Sequence, residues 1–309
     1  MDPASLRDST VLVFGGSGFL GRPLVRRLAE AGARVHAASR SVGPGTDGDG
    51  VHWFPCDASD MEQVTAAFRR VRPRIAYNLT SDSRGGREID LIPDSLRNDL
   101  VAGVNIMMAA SRLPVERLVV TGSMEEPVGD AATAVPSSPY AAAKWAGAAY
   151  ARMMAALHDL PVTILRPMMT YGPGQKAYKL LPSVIAAILE ERTIPVSSGD
   201  RLVDWVFLED VTEAFVRAAL APAAGTQPVD IGTGCLVSIR DCLAIIAEIT
   251  GGGRFIALGG LPGRRMEMER AADTEVAARL LGWTATTPLR TGLEKTIAAA
   301  WAARKAGPA

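Results

Sequence analysis

The chain has 309 residues, 48% of them apolar, and its 33 basic and 33 acidic side chains give a formal net charge of zero. That is room for one large α/β domain or a domain with a smaller lobe, and the charge balance offers no basic surface to nucleic acid or a membrane. Three scattered cysteines and three unclustered histidines build neither a disulfide framework nor a metal site, the polar stretch 1–10 is no signal peptide, and no apolar run approaches the roughly 20 residues of a membrane span, so a soluble cytoplasmic protein is expected.

Residues 10–15 form a short apolar and β-branched run ending in glycine, the mark of a buried parallel strand. Over 19–31 the apolar positions Leu20, Leu24, Val25 and Leu28 recur at helical spacing, and Gly32 closes the helix. Strands follow at 34–38 and 51–55 around a Gly-rich loop at 43–50. Then come a helix at 61–71, a strand at 75–79, a long helix at 93–111 and a strand at 117–121. An Ala-rich helix at 140–158 leads to a strand at 162–165. Strands alternating with such helices predict right-handed βαβ units, and hence a Rossmann-type doubly wound parallel sheet. After Tyr171 the sequence Gly172-Pro173-Gly174 breaks the pattern. Helices at 181–191, 211–220 and 239–250, strands at 204–207 and 229–232, and a last helix from Leu289 make a less regular second half. We read residues 1–172 as the dinucleotide-binding domain, re-entered at about 202–232, and 173–309 as a smaller α/β substrate lobe.

Gly15-Gly16-Ser17-Gly18-Phe19-Leu20-Gly21 lies between the first strand and the first helix. Glycines at Gly15, Gly18 and Gly21 provide a tight turn, close approach to pyrophosphate and close helix–sheet packing, and the phosphates then sit on the helix N-terminus. Phe19 and Leu20 belong to the same cofactor-binding loop. An NAD-selective site wants an acid at the end of the second strand for the ribose 2′-OH; this strand ends Ser39-Arg40, which suits a 2′-phosphate. NADP(H) is therefore expected over NAD(H), although Arg40 also reads as a solvated loop charge. Asp57, after the third strand, is placed to accept from the adenine amino group or to cap the next helix.

Tyr140 and Lys144 lie one helical turn apart, so that an ammonium beside a phenol lowers the tyrosine pKa and makes it a usable acid or base. Ser123 follows the fifth strand and is placed to polarise the reacting oxygen. Taken together these residues resemble an extended short-chain dehydrogenase/reductase of the NAD-dependent epimerase/dehydratase family, from about residue 10 to 300. The likeness rests on the glycine loop, Asp57, Asn98, Ser123, Ser138-Pro139-Tyr140-x-x-x-Lys144, Arg166-Pro167, Tyr171-Gly172-Pro173-Gly174 and Leu281-Gly282-Trp283.

The resemblance implies Tyr140 as catalytic acid/base, Lys144 as its partner, Ser123 as carbonyl ligand, and a homodimer through the helices at 93–111 and 140–158. Gly122-Ser123-Met124-Glu125-Glu126 and Ser39-Arg40 resemble the NADPH-dependent 4-keto-6-deoxy sugar reductases that act on GDP-sugars. That implies a ketoreductase of a 4-keto nucleotide sugar. Glu125 matches the proton-removing glutamate of the 4,6-dehydratases, or is a solvated turn carboxylate, and an epimerase or dehydratase with retained cofactor stays an alternative. Asn78-Leu79-Thr80 replaces a usual His-Leu-Ala, with Leu79 counted among the cofactor-binding residues. Pro167-Met168-Met169 and Val203-Asp204 lack the usual diphosphate-holding Asn and Arg. Lys179, Arg201 and Arg264 are candidates to compensate, alongside Lys176 and Arg265, with Met168, Met169 and Val203 on the substrate wall. The same apolar positions leave open a ketoreductase of an apolar natural-product intermediate, and a non-catalytic NADP(H)-binding protein is the reading from another class.

Overall fold

The structure is a computed structural model describing residues 3–130 and 132–306. In chain order the elements begin β1 (Thr10–Phe14), α1 (Gly21–Glu30), β2 (Arg34–Ser39), β3 (Gly45–Thr46), β4 (His52–Pro55), α2 (Met61–Val71) and β5 (Ile75–Asn78). After α3 (Ile92–Ser95) comes a π-helical stretch (Leu96–Val101), followed by α4 (Ala102–Arg112), β6 (Arg117–Thr121), α5 (Pro139–His158), β7 (Val162–Pro167) and β8 (Met169–Tyr171). Next are α6 (Leu180–Leu189), β9 (Ile194–Pro195), β10 (Leu202–Phe207), α7 (Leu208–Leu220), β11 (Val229–Ile231) and β12 (Leu236–Ser238). The chain closes with α8 (Ile239–Thr250), β13 (Ile256–Ala257), α9 (Thr274–Leu281) and α10 (Leu289–Ala306).

The chain divides into two compact units. The first comprises Met1–Pro167, Thr212–Asp230 and Glu275–Trp283. Its sheet has the strand order β11-β7-β6-β5-β1-β2-β4-β3. Strands β1, β2, β4, β5, β6 and β7 pair in parallel, and the short β3 adds antiparallel at the edge, within what the sequence offers only as a Gly-rich loop. This is the expected doubly wound α/β fold. Alternation along β1 sends Leu12 and Phe14 to one side, where they join Val64 and Phe68 of α2, Ile106 of α4 and Ala148 and Ala151 of α5 in one buried cluster. Each large apolar side chain so buried contributes about 1.5–3 kcal/mol. The buried Tyr77 of β5 donates through its hydroxyl to the carbonyl of Phe215 in α7 at 3.1 Å. At the sheet edge Arg166 of β7 donates to Asp230 of β11 at 2.7 Å.

The expected helix at 93–111 is not one regular α-helix. Its middle is a π-helical stretch that carries Asp99 inward, where its side chain is fully buried. The wider turn lets an acid occupy the core-facing row without breaking the helix on either side.

The second unit comprises Met168–Val211, Ile231–Thr274 and Thr284–Ala309. A three-stranded sheet, β12-β10-β8, and the pair β13-β9 lie with α6, α8 and α10 around Tyr171, Leu181, Val203, Trp205, Phe207 and Ile246. The strands β8, β9, β12 and β13 span two or three residues each, too few for a periodicity to register in sequence. Asp204 of β10 is wholly buried and accepts from the amides of Thr233, Gly234 and Ala272 and the Thr233 hydroxyl, which pins the loop after β11. Among the described residues no helix is long and apolar enough to cross a membrane.

Candidate active site

The glycine loop leaves β1 on Gly15, whose φ of 78° favours glycine and whose amide donates to Ala38 at 2.9 Å. A Cβ on Gly15 would lie 2.7 Å from the Leu79 carbonyl carbon and oxygen, and one on Gly21 would lie 2.6 Å from the Gly16 carbonyl oxygen. Helix α1 therefore starts hard against the loop. Its cap residue, Leu20, brings no side-chain hydrogen bond, and its first turn carries no acid. Helices α2, α5 and α8, by contrast, are capped by Asp60, Ser138 and Ser238. Within the first turn of α1 the Arg22 and Leu24 amides already donate to the Gly18 and Leu20 carbonyls and Pro23 has no N–H, so what α1 offers an outside anion is its macrodipole and the close approach that the glycines allow. That fits the pyrophosphate of a dinucleotide.

At the end of β2, Ser39 Oγ lies 2.6 Å from Ser17 Oγ and 3.5 Å from Ser41 Oγ, and Arg40 is exposed, donating to Asn98 Oδ1 at 2.9 Å. Asp57 does not cap α2; Asp60 does. The Asp57 carboxylate instead accepts from the Ser59 amide (2.9 Å) and hydroxyl (2.7 Å) and from Arg97 Nη2 (2.6 Å). Burial alone would raise it, but the Ser59 hydrogen bonds and the Arg97 charge win and hold it below the usual carboxylate range.

Ser123, Tyr140 and Lys144 come together in the first unit. Tyr140 and Lys144 sit in the first turns of α5, started by Pro139 and the Ser138 cap. The hydroxyls of Ser123 and of Ser81, a residue of the loop after β5, both pull the Tyr140 phenol's pKa down. Lys144 Nζ lies 5.8 Å from the Tyr140 ring centroid, donates to the carbonyls of Thr121 (3.2 Å) and Thr80 (3.4 Å), and lies 3.4 Å from Asp99 Oδ1. Burial pushes the Tyr140 phenol above its ordinary pKa, and Asp99 adds to the rise against the pull of Lys144 and Ser123. The expected lowering by the ammonium is present but outweighed, because burial of the phenol is the larger influence and Asp99 adds to it. Of the two neighbouring glutamates, Glu126 is buried and accepts the Ser123 amide at 2.7 Å, while Glu125 is half-buried and accepts the Ser137 hydroxyl at 3.1 Å.

Ser81, Asp99 and Glu126 were not picked out from the sequence. Asp99 left a signal: it shares the buried row of Gly103, Ile106 and Ala110, where an unpaired charge is costly. Phe19 and Leu20 are half-buried in the loop. In the second unit, Met169 is half-buried against the core cluster, and Lys179 Nζ stands 5.5 Å from the Tyr178 ring. Arg201 donates to the Met268 carbonyl at 2.8 and 3.1 Å, and Arg264 is exposed. Met168 and Val203 are fully buried, so packing accounts for their apolar character.

The profile of the NAD dependent epimerase/dehydratase family matches residues 11–233. The chain is 29% identical to the UDP-glucose 4-epimerase of Mycolicibacterium smegmatis, over 93% of this chain and 96% of that protein. It is 24% identical to a dTDP-glucose 4,6-dehydratase of Neisseria meningitidis, over 93% and 92%. Among solved structures, MoeE5 in complex with UDP-glucuronic acid and NAD superposes with a TM-score of 0.82 at 28% identity, covering 94% of this chain and 99% of that one.

Proposed function

The chain belongs to the NAD dependent epimerase/dehydratase family, and on that footing we propose that it is an NADP(H)-dependent oxidoreductase that reduces the 4-keto group of a nucleotide sugar. The observation that carries the reading is the meeting of Ser123, Tyr140 and Lys144 at the carboxyl ends of β5 and β6, the end of the sheet at which the glycine loop leaves β1. A nicotinamide dinucleotide, when bound, supplies the hydride. The chain's own residues supply position and the proton: Ser123 polarises the reacting oxygen, Tyr140 Oη exchanges its proton, and Lys144 is held by two carbonyls beside the phenol. Gly15, Gly18, Phe19, Leu20, Gly21, Asp57 and Leu79 are assigned to the cofactor. Met169, Lys179, Arg201 and Arg264 are assigned to the substrate.

The NADP(H) preference rests on Ser39, its hydroxyl neighbour Ser17, and Arg40, in place of an acid. The NAD in the MoeE5 complex belongs to that protein. NADPH is expected to bind at least about tenfold more tightly than NADH, worth about 1.4 kcal/mol. Arg40→Ala should erase most of that preference in a fluorescence titration; equal affinities for the wild type would refute it.

A second reading, an epimerase or dehydratase that retains its cofactor, draws on the names of the two relatives and on Glu125. A reductase consumes one NADPH per product, whereas an enzyme that returns the hydride shows no net consumption. For the substrate, one of UDP, GDP or dTDP is expected to raise Tm, since a ligand at 100 times its Kd stabilises by about 2.7 kcal/mol. No rise with any of the three would favour an apolar ketone instead. A homodimer is proposed through the helices that expose Leu96, Val101, Tyr150 and Leu157.

A further inference from the structure

The amino ends of the central strands, opposite to the glycine loop, carry more positive charge than the fold needs. Thr10 and Arg34 face each other in register at the start of β1 and β2, and Arg74 and Glu116 immediately precede β5 and β6. With the turns around Asp8 and Pro73 they enclose an open pocket of about 350 Å³, all of it within the first unit. Four guanidinium groups, of Arg7, Arg34, Arg72 and Arg74, line it against two carboxylates, of Asp8 and Glu116, an excess of two positive charges. Arg74 is paired with Glu116 at 2.6 Å. Among the described residues Arg7, Arg34 and Arg72 form no ion pair.

Hydroxyls back the arginines from the sheet. Arg74 Nη1 donates to the buried Ser9 Oγ at 3.0 Å, and Arg34 Nη2 donates to Thr10 Oγ1 at 3.2 Å. A hydroxyl that accepts keeps its own proton to donate, and a guanidinium has five N–H groups, so all four side chains retain donors for an anion.

The fold itself does not call for these cations. The negative ends of α1 and α2 lie at this end of the sheet, but their last turns carry their own, Arg27 in α1 and Arg69 and Arg70 in α2. Arg72 is a poor choice for its turn: its φ of 47° lies in the left-handed region that favours glycine, and its amide, donating to the Phe68 carbonyl, needs no side chain. The chain has a long cation where glycine is the easier residue.

We propose that this pocket is a second anion site, which binds a phosphate dianion, free or as a small monoester. Such a group carries about 1.5–2 negative charges near neutral pH, which matches the excess of two positive ones. Planar guanidinium groups bond phosphate oxygens in pairs, and the pocket exceeds the roughly 300 Å³ at which small-molecule sites begin. Ser123, Tyr140, Lys144 and the glycine loop occupy the carboxyl ends of the same strands, so this ligand is distinct from the dinucleotide and substrate proposed above. The inference stands without that reading.

The test is calorimetric titration at constant ionic strength with inorganic phosphate and with glycerol 3-phosphate, in buffer free of both. At least one should bind with a Kd below about 1 mM, and the tighter of the two identifies the source. Arg34→Gln should weaken binding about 10- to 100-fold, the worth of one or two charge-assisted hydrogen bonds. Arg72→Gly is the sharper variant. Glycine suits the backbone there, so Tm should stay level or rise while binding weakens about tenfold. It also keeps the test valid if Arg34→Gln fails to fold. Arg40→Ala, at the other end of the sheet, should bind as the wild type does. Binding lost in Arg40→Ala but intact in Arg34→Gln and Arg72→Gly would place the phosphate at the carboxyl end and overturn the proposal. So would an absence of binding at millimolar concentration, heats that sodium chloride reproduces, or a fall in Tm with Arg72→Gly at unaltered affinity, which would make the arginine a part of the fold alone.

Discussion

Tyr140→Phe is expected to lower kcat by about a hundred- to ten-thousand-fold while cofactor binding persists. The substitution removes one oxygen and leaves the ring, so the packing of α5 and the position of Lys144 5.8 Å from the ring centroid are retained. Lys144 does not depend on the phenol for its place, because Thr80 and Thr121 hold it from the strand ends and Asp99 from the π-helical stretch. The loss should therefore fall on kcat, with little change in KM and none in the NADPH titration, since proton transfer belongs to the transition state. A Tyr140→Phe enzyme of undiminished kcat would end the assignment of Tyr140 as acid/base. A loss of cofactor binding equal to the loss of kcat would show that the hydroxyl's role is structural.

How much of this was legible beforehand depended on what each feature needs in order to be written in sequence. The parallel sheet was legible because its strands and helices each carry their own period: Leu12 and Phe14 alternate, and Leu24, Val25 and Leu28 recur at helical spacing. The glycine loop was legible because sterics leave no substitute for Gly15 or Gly21. The pair on α5 followed from a spacing of four. What stayed hidden were matters of sign and of partners. The Tyr140 phenol is pushed up where a neighbouring lysine alone predicts a fall, because burial and Asp99 are contributed by elements far along the chain. Ser81 meets Asp99 only once the loop after β5 has folded, and Glu126 rather than Glu125 turns inward to hold the Ser123 amide. Adjacent acids cannot be told apart by residue type alone. In the second unit, Met168 and Val203 looked like a substrate wall because sequence does not distinguish an apolar lining from an apolar core.

Gly21→Ala should be destabilising, and its sign is diagnostic. By helix propensity alone, alanine at the first residue of α1 would be favoured over glycine by up to about 1 kcal/mol. Against this, the added Cβ meets the carbonyl oxygens of both Gly15 and Gly16, the latter at 2.6 Å, and none of these atoms is the end of a flexible side chain. Relief requires α1 to slide away from the loop or the loop to lift from the sheet, where Gly15 is tied to Ala38 at 2.9 Å and backed by the Leu79 carbonyl. Overpacking of this kind costs about 1–3 kcal/mol or more, which outweighs the propensity gain. The movement also displaces the start of α1 that we assign to pyrophosphate, so NADPH affinity should drop at least about tenfold, or about 1.4 kcal/mol. Gly43→Ala is the control, because a Cβ there meets nothing within 4 Å. Thermal denaturation and NADPH titration of the two variants decide the point. A Gly21→Ala protein as stable as the Gly43→Ala control, with unaltered NADPH affinity, would mean that the loop is not seated against α1 as described and that its glycines answer to something other than a dinucleotide.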